Sequence, residues 1–250
     1  MAVKRVALFV TCAADLAMPQ VVGATKRLIE ATGARVEIPR GQSCCGQIGL
    51  NTGHSGPGTA LARHWVETFR PYDLIVSPSG SCVATVHHSY PRLDPDPAWQ
   101  AEVTELAGRT LELTQFLVAH GENLRFRLRE TVAWHHSCHM LRMLGESSSA
   151  DILLARVDGL DVRHFDEEQT CCGFGGTFAT KFPEVSTAMA DRKLDSAVEA
   201  GVQHLVSADP GCLLHLTGRH DRTGRDGARP LHVAELLERA LIDDGEGVPA

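Results

Sequence analysis

The chain has 250 residues, 43% hydrophobic and 22% charged, an ordinary globular mix that excludes disorder and predicts one large domain or two small ones. Its 24 Lys and Arg against 31 Asp and Glu leave a net charge of -7, which argues against a general nucleic-acid binder. No apolar run reaches the ~18 residues of a membrane span.

The first element is expected over residues 6–10, a short apolar run of the kind that forms a parallel strand buried on both faces. Only this run separates Lys4 and Arg5 from polar Thr11. That is too short for a secretory leader, so a reducing cytoplasmic compartment is expected. A helix is predicted over residues 19–31, with Pro19 in its first turn and Gly33 as its stop. Residues 35–38 read as a strand. Residues 59–70 read as a helix, because Leu61, Trp65 and Phe69, with Ala62 and Val66, share one face. A third strand follows at 74–76, then a rigid polar loop at 91–97 and an amphipathic helix at 111–119. Leu124, Phe126 and Leu128 alternate with Arg125, Arg127 and Arg129, which predicts an edge strand leading into a second unit.

That unit is expected to run as strand 132–134, helix 149–157, strand 161–165, helix 185–200, strand 204–206 and helix 233–241. The acidic, Gly-rich tail 243–250 is expected to fray. Strand–helix–strand order with short links predicts an α/β fold of two similar lobes, residues 1–122 and 123–250. Each is expected to be a mainly parallel sheet with flanking helices.

The cysteines identify the second unit as a duplicate of the first. Cys12, Cys44, Cys45 and Cys82 are followed by Cys138, Cys171, Cys172 and Cys212, the same order of single, adjacent pair, single. The offsets are 126 (12 to 138), 127 (44 to 171), 127 (45 to 172) and 130 (82 to 212). The match extends to Gln42-Ser43-Cys44-Cys45-Gly46 against Gln169-Thr170-Cys171-Cys172-Gly173. It also covers Ser77-Pro78-Ser79-Gly80-Ser81-Cys82 against Ser207-Ala208-Asp209-Pro210-Gly211-Cys212. Each single or paired cysteine follows an expected strand, so each lobe should gather four thiols at one sheet edge.

Adjacent cysteines point their side chains apart and do not readily share one zinc ion; they suit a polynuclear cluster whose irons take separate thiolates. Gly46 and Gly173 permit tight turns whose N–H groups can face anionic sulfur, and Gly173-Phe174-Gly175-Gly176 has the composition of such a nest. Buried inert cysteines, structural zinc in a binding module, and a thiol–disulfide couple are the alternatives.

At these residues the sequence resembles the cysteine-rich CCG-domain family of iron–sulfur proteins. Its members include the cysteine-rich component of heterodisulfide reductase, the glycolate oxidase iron–sulfur subunit and, nearest in length and motif content, the lactate utilization protein A group. The resemblance implies an electron-transfer subunit of a complex that oxidises L-lactate, or a related 2-hydroxy acid such as glycolate, to the 2-oxo acid. It implies as partners a ferredoxin-like iron–sulfur subunit and a third subunit, because this chain has no ferredoxin-type cysteine run.

The family motif ends in CxxC, but its first position is Ser79 in one unit and Asp209 in the other. Four cysteines per lobe instead of five argue against a noncubane disulfide-reducing cluster and match one [4Fe–4S] cubane each. Asp209 is a possible extra ligand, although capping a loop is the plainer role for it and for Ser79.

Among the thirteen histidines, His135, His136 and His139 flank Cys138, His87 and His88 follow Cys82, and His215 follows Cys212. Hydrogen bonds to sulfur or proton handling would use such residues, with His136 and His139 the principal candidates. Arg142 is a candidate partner for a substrate carboxylate. Trp65, Trp99 and Trp134 read as core, and Lys181 follows a glycine loop without P-loop spacing.

Overall fold

The computed structural model describes residues 5–242. The tail expected to fray lies outside the described residues. The first half runs β1 (Arg5–Leu8), α1 (Cys12–Ala17), α2 (Pro19–Ala31), β2 (Arg35–Glu37), α3 (Gln47–Asn51), α4 (Ser55–Phe69), β3 (Leu74–Ser77) and α5 (Gly80–His88). After a 3-10 turn at Tyr90–Arg92 come α6 (Pro97–Gly108), β4 (Thr110–Glu112) and α7 (Leu113–His120). The second half runs β5 (Phe126–Arg127), β6 (Thr131–Trp134), α8 (Cys138–Arg142), α9 (Ser149–Leu154), β7 (Val157–Asp158) and β8 (Asp161–Val162). It continues with α10 (Phe178–Lys181), α11 (Pro183–Glu199), β9 (His204–Ser207), α12 (Pro210–Thr223), β10 (Arg229–His232) and α13 (Val233–Ala240).

The predicted α/β duplication is present. One sheet has the order β2-β1-β3-β4 and the other β8-β6-β9-β10, parallel throughout. The equivalent central strands pair in equivalent registers, Ala7 with Ile75 and Ala133 with Leu205. Alternation along the central strands divides the interior. Val6 and Leu8 of β1, with Val132 and Trp134 of β6, enter one cluster continuous between the halves, while Ala7 and Phe9 face a first private core and Ala133 a second. Contacts across the seam are reciprocal: α13 packs on α2 and α7 on α9, and likewise α5 on α8 and α12 on α1. Trp65, Trp99 and Trp134 are all buried, as expected. Among the described residues no helix is long and apolar enough to cross a membrane.

Several elements differ from expectation for local reasons. α5 and α12 start directly after the third strands, where Ser-Gly-Ser and Asp-Pro-Gly read as turns; Ser79 and Asp209 are their N-caps and Pro210 opens α12. The end of the expected polar loop is the start of α6, capped by Asp96. The expected helix 111–119 begins as strand β4, because the side chains of Glu112 and Gln115 form a capping box that starts α7 only at Leu113. The expected edge strand shrinks to β5, which pairs in a separate two-stranded sheet with β7. That pairing uses Val157, so α9 stops at Leu154. The strand expected over 161–165 is confined to Asp161–Val162.

Candidate metal centre between the lobes

A cavity of about 100 Å³ lies between the two halves, and all eight cysteines line it. The sequence places four thiols at each sheet edge; the structure sets the two edges face to face. Loops carry the paired cysteines, and helix starts carry the single ones. Cys12 and Cys138 are the first residues of α1 and α8, and Cys82 and Cys212 sit in the first turns of α5 and α12. The positive ends of α5 and α12 therefore favour negative charge on sulfur.

The adjacent cysteines diverge as expected. Cys44 Sγ lies 3.6 Å from Cys12 Sγ, while Cys45 Sγ lies 3.3 Å from Cys82 Sγ. Gly46, at φ +81°, aims its N–H at Cys44 Sγ (3.4 Å), and Gly173, at φ +94°, does the same for Cys171 (3.4 Å). Hydrogen bonds from Cys12 and Cys45 push the Cys44 thiol far below its ordinary range, and Cys138 and Cys172 act alike on Cys171. The same contacts, with burial, push Cys12, Cys45, Cys138 and Cys172 up. The first cysteine of each pair is thus more acidic than the thiols that donate to it.

The quartets share anchors to the frame. Tyr90 donates its hydroxyl to Cys45 O at 3.0 Å, and Ser186 donates to Gly173 O at 2.8 Å. Asp209 accepts from Gly211 N (3.1 Å) and Cys212 N (3.4 Å) with one oxygen and from Ser81 N (2.8 Å) across the seam with the other. Its burial is accounted for by capping α12 and joining the halves. Ser79 caps α5 through Cys82 N. Two further bonds stitch the seam, Gly80 N to Ala208 O (3.1 Å) and His232 Nε2 to Pro78 O (3.0 Å).

The other candidates separate. His139 lines the cavity, with Nδ1 3.6 Å from Cys138 Sγ. His136 does not line it; it stands edge-on to Trp134 in a neighbouring hollow. Arg142 is exposed and also lies off the cavity. His87 is spent on Thr110 O and His215 on Ser186.

Sequence reasoning gave little weight to His135 and none to Lys193. His135 is fully buried, and burial together with the charge of Lys193 pushes its imidazole down to about 3. Lys193 is itself buried, held down to about 8 by desolvation, and donates to Glu167 O. Setting His135 in register with Phe9 of the first unit would have flagged it, since a polar residue there replaces an aromatic one.

The donor set fits a thiolate-bound metal or iron–sulfur group. Eight sulfurs converge on one cavity, four of them in the first turns of helices, glycine N–H groups face two of the others, and the buried Nε2 of His135 has no hydrogen-bond partner.

Comparison with known proteins agrees with this architecture. The CCG cysteine-rich domain family matches residues 6–87 and 132–217. The chain is 43% identical over 236 residues to lactate utilization protein A of Bacillus cytotoxicus, covering 93% of this chain and 98% of that one. It is 42% identical, with the same coverage, to lactate utilization protein A 1 of Bacillus cereus strain AH820. A crystal structure of a hypothetical protein from Helicobacter pylori shares the fold at a TM-score of 0.70 and 13% identity, over 98% of this chain and 50% of that chain. With two matched segments holding both cysteine quartets, the chain belongs to the CCG cysteine-rich domain family.

Proposed function

We propose that the protein is an iron–sulfur electron-transfer subunit of a lactate-utilisation complex. Cys12, Cys44, Cys45 and Cys82 would hold one [4Fe–4S] cluster, and Cys138, Cys171, Cys172 and Cys212 a second. The convergence of all eight thiols on one cavity carries this reading, and the names of the relatives carry the physiological assignment. When bound, such clusters supply one-electron transfer. The chain's own contribution is to place four thiolates in the first turns of helices, to hold the paired cysteines on glycine turns, and to leave one side of the site open. Cys12, Cys44, Cys138 and Cys171 are only partly buried, so a partner has an approach to the ligands. The complex would oxidise L-lactate, or a related 2-hydroxy acid such as glycolate, to the 2-oxo acid. A ferredoxin-like subunit and a third subunit would supply the remaining carriers.

Anaerobic reconstitution with iron and sulfide tests the reading. About eight irons per chain and a broad visible chromophore are expected for two four-iron clusters. Colourless protein that takes up no iron sinks it. A zinc-stabilised binding module is the second reading. It is favoured by the compact trio His135, Cys172 and Cys212, whose donor atoms lie within 4.8 Å of one another. Metal analysis of protein purified without added iron separates the two.

A further inference from the structure

The two quartets share one frame but not one backing. Phe9 and His135 occupy equivalent places at the ends of the equivalent strands, and their N–H groups donate to Val76 O and Val206 O, each at 2.8 Å. Phe9 packs edge-on against Trp65 and Phe69, with ring centroids 5.8 and 5.3 Å apart. His135 meets no such box. In α11 the buried positions Ala190, Lys193, Leu194 and Ala197 repeat the spacing of Ala62, Trp65, Val66 and Phe69 in α4, so Lys193 stands where the first lobe has Trp65.

The ring of His135 is oriented by the backbone. Its Nδ1 lies 3.4 Å from Glu168 O. A carbonyl only accepts, so Nδ1 carries the proton and Nε2 keeps a free lone pair. That Nε2 is buried without a partner, and the residue forms a compact donor trio with Cys172 and Cys212. An imidazole anchored on a carbonyl through one nitrogen, with the other bare beside thiols, is disposed as a metal-ligating histidine is.

We propose that His135 is a nitrogen donor to one iron of the C-terminal metal centre, in place of one of the four thiolates assigned to it above, which makes the two centres chemically unequal. This rests on the iron–sulfur reading above. A neutral imidazole in place of a thiolate removes one negative charge, and the buried ammonium of Lys193 interacts with His135, Cys172 and Cys212. The C-terminal centre therefore accepts an electron more readily than its N-terminal counterpart, and current between them has a direction.

Mössbauer spectroscopy of protein reconstituted with 57Fe and sulfide reads every iron, whatever its spin state. The wild type is expected to show one iron subsite with a nitrogen-type isomer shift beside all-sulfur irons. His135→Phe, which installs the first lobe's residue, should lose that subsite, and His139→Ala should keep it. In reduced samples, pulsed EPR with 15N-labelled histidine should show a ligand-strength coupling that His135→Phe abolishes. Wild-type clusters whose irons are all sulfur-bound overturn this proposal and leave the iron–sulfur reading standing. Persistence of the nitrogen subsite in His135→Phe overturns it equally. Failure of the wild type to form any cluster overturns both. The wild-type spectrum alone decides if His135→Phe does not fold.

Discussion

The two CCG turns offer a paired perturbation with unequal expected costs. Gly46 and Gly173 both have left-handed backbone, φ +81° and +94°. Alanine at either incurs about 1–2 kcal/mol for that conformation alone. The surroundings then differ. A Cβ on Gly46 would meet nothing closer than 3.5 Å, whereas a Cβ on Gly173 would lie 2.6 Å from Ser186 O and 3.2 Å from Met189 Cβ. Ser186 O is backbone in the first turn of α11 and cannot swing aside as a side-chain tip can. Overpacking of this kind costs about 1–3 kcal/mol more. The expected losses are therefore about 1–2 kcal/mol for Gly46→Ala and about 2–5 kcal/mol for Gly173→Ala, read by urea denaturation. Moving the second turn also moves Cys171 and Cys172 and strains the bond from Ser186 Oγ to Gly173 O. Iron analysis should then show Gly173→Ala losing the C-terminal share of its iron while Gly46→Ala keeps both. Equal destabilisation, or a larger loss at Gly46, refutes the steric reasoning.

Glu112 is fully buried with one unpartnered carboxylate oxygen, and burial raises its pKa from 4.5 to about 8. Its proton is therefore held more tightly in the folded state. The stability present below the unfolded value is lost as pH rises through the folded one, by up to about 5 kcal/mol. Glu112→Gln should gain on the wild type from about pH 5 to pH 8; a pH-independent difference in urea midpoint contradicts this. Asp209→Ala leaves three backbone N–H groups without their acceptor, one of them across the seam. It should cost about 2–4 kcal/mol, with Asp209→Asn milder, and a loss within about 0.5 kcal/mol would make the cap incidental. Cys45→Ser should remove the N-terminal cluster and Cys172→Ser the C-terminal one, each leaving the other's EPR signal. Loss of both signals from either single substitution would point to one shared centre.

Much of the fold was legible because two signals were strong. Central strands buried on both faces are continuous apolar runs, as in residues 6–10 and 74–76, and the cysteine offsets expose the duplication without reference to secondary structure. Short elements fixed by capping were harder to see. Glu112 and His232 each close a strand and open a helix, so β4 and β10 last only three and four residues. The cysteines could be grouped by lobe from sequence, but the meeting of the two groups depends on how helices cross the seam. Gly80 shows this: a Cβ there would lie 2.9 Å from Met140 Cβ, so α5 reaches α8 only because no side chain intervenes. Nothing in the local pattern around Ser79-Gly80-Ser81 announces a partner 60 residues away. His136 ranked above His135 for a similar reason, since adjacent histidines on a strand end point to opposite faces and sequence alone did not say which face held sulfur.

The seam also constrains how the site can assemble. Each unit's closing helix covers the other unit's second helix, α7 on α9 and α13 on α2. The apolar cluster shared by Val6, Leu8, Val76, Val132, Trp134 and Val206 exists only when both halves are in place. A single lobe would expose that cluster to water and lose the bonds from Asp209 and His232, so the cavity forms in one step with the interface. Neither quartet can then diverge in position without disturbing the other, because both edges are held by the same stitches. Divergence is left to the side chains behind the sulfurs. There the two lobes differ, with Phe9 and Trp65 behind one quartet and His135 and Lys193 behind the other. On the iron–sulfur reading proposed above, a symmetric frame with asymmetric backing would give the two centres unequal potentials without moving a cysteine.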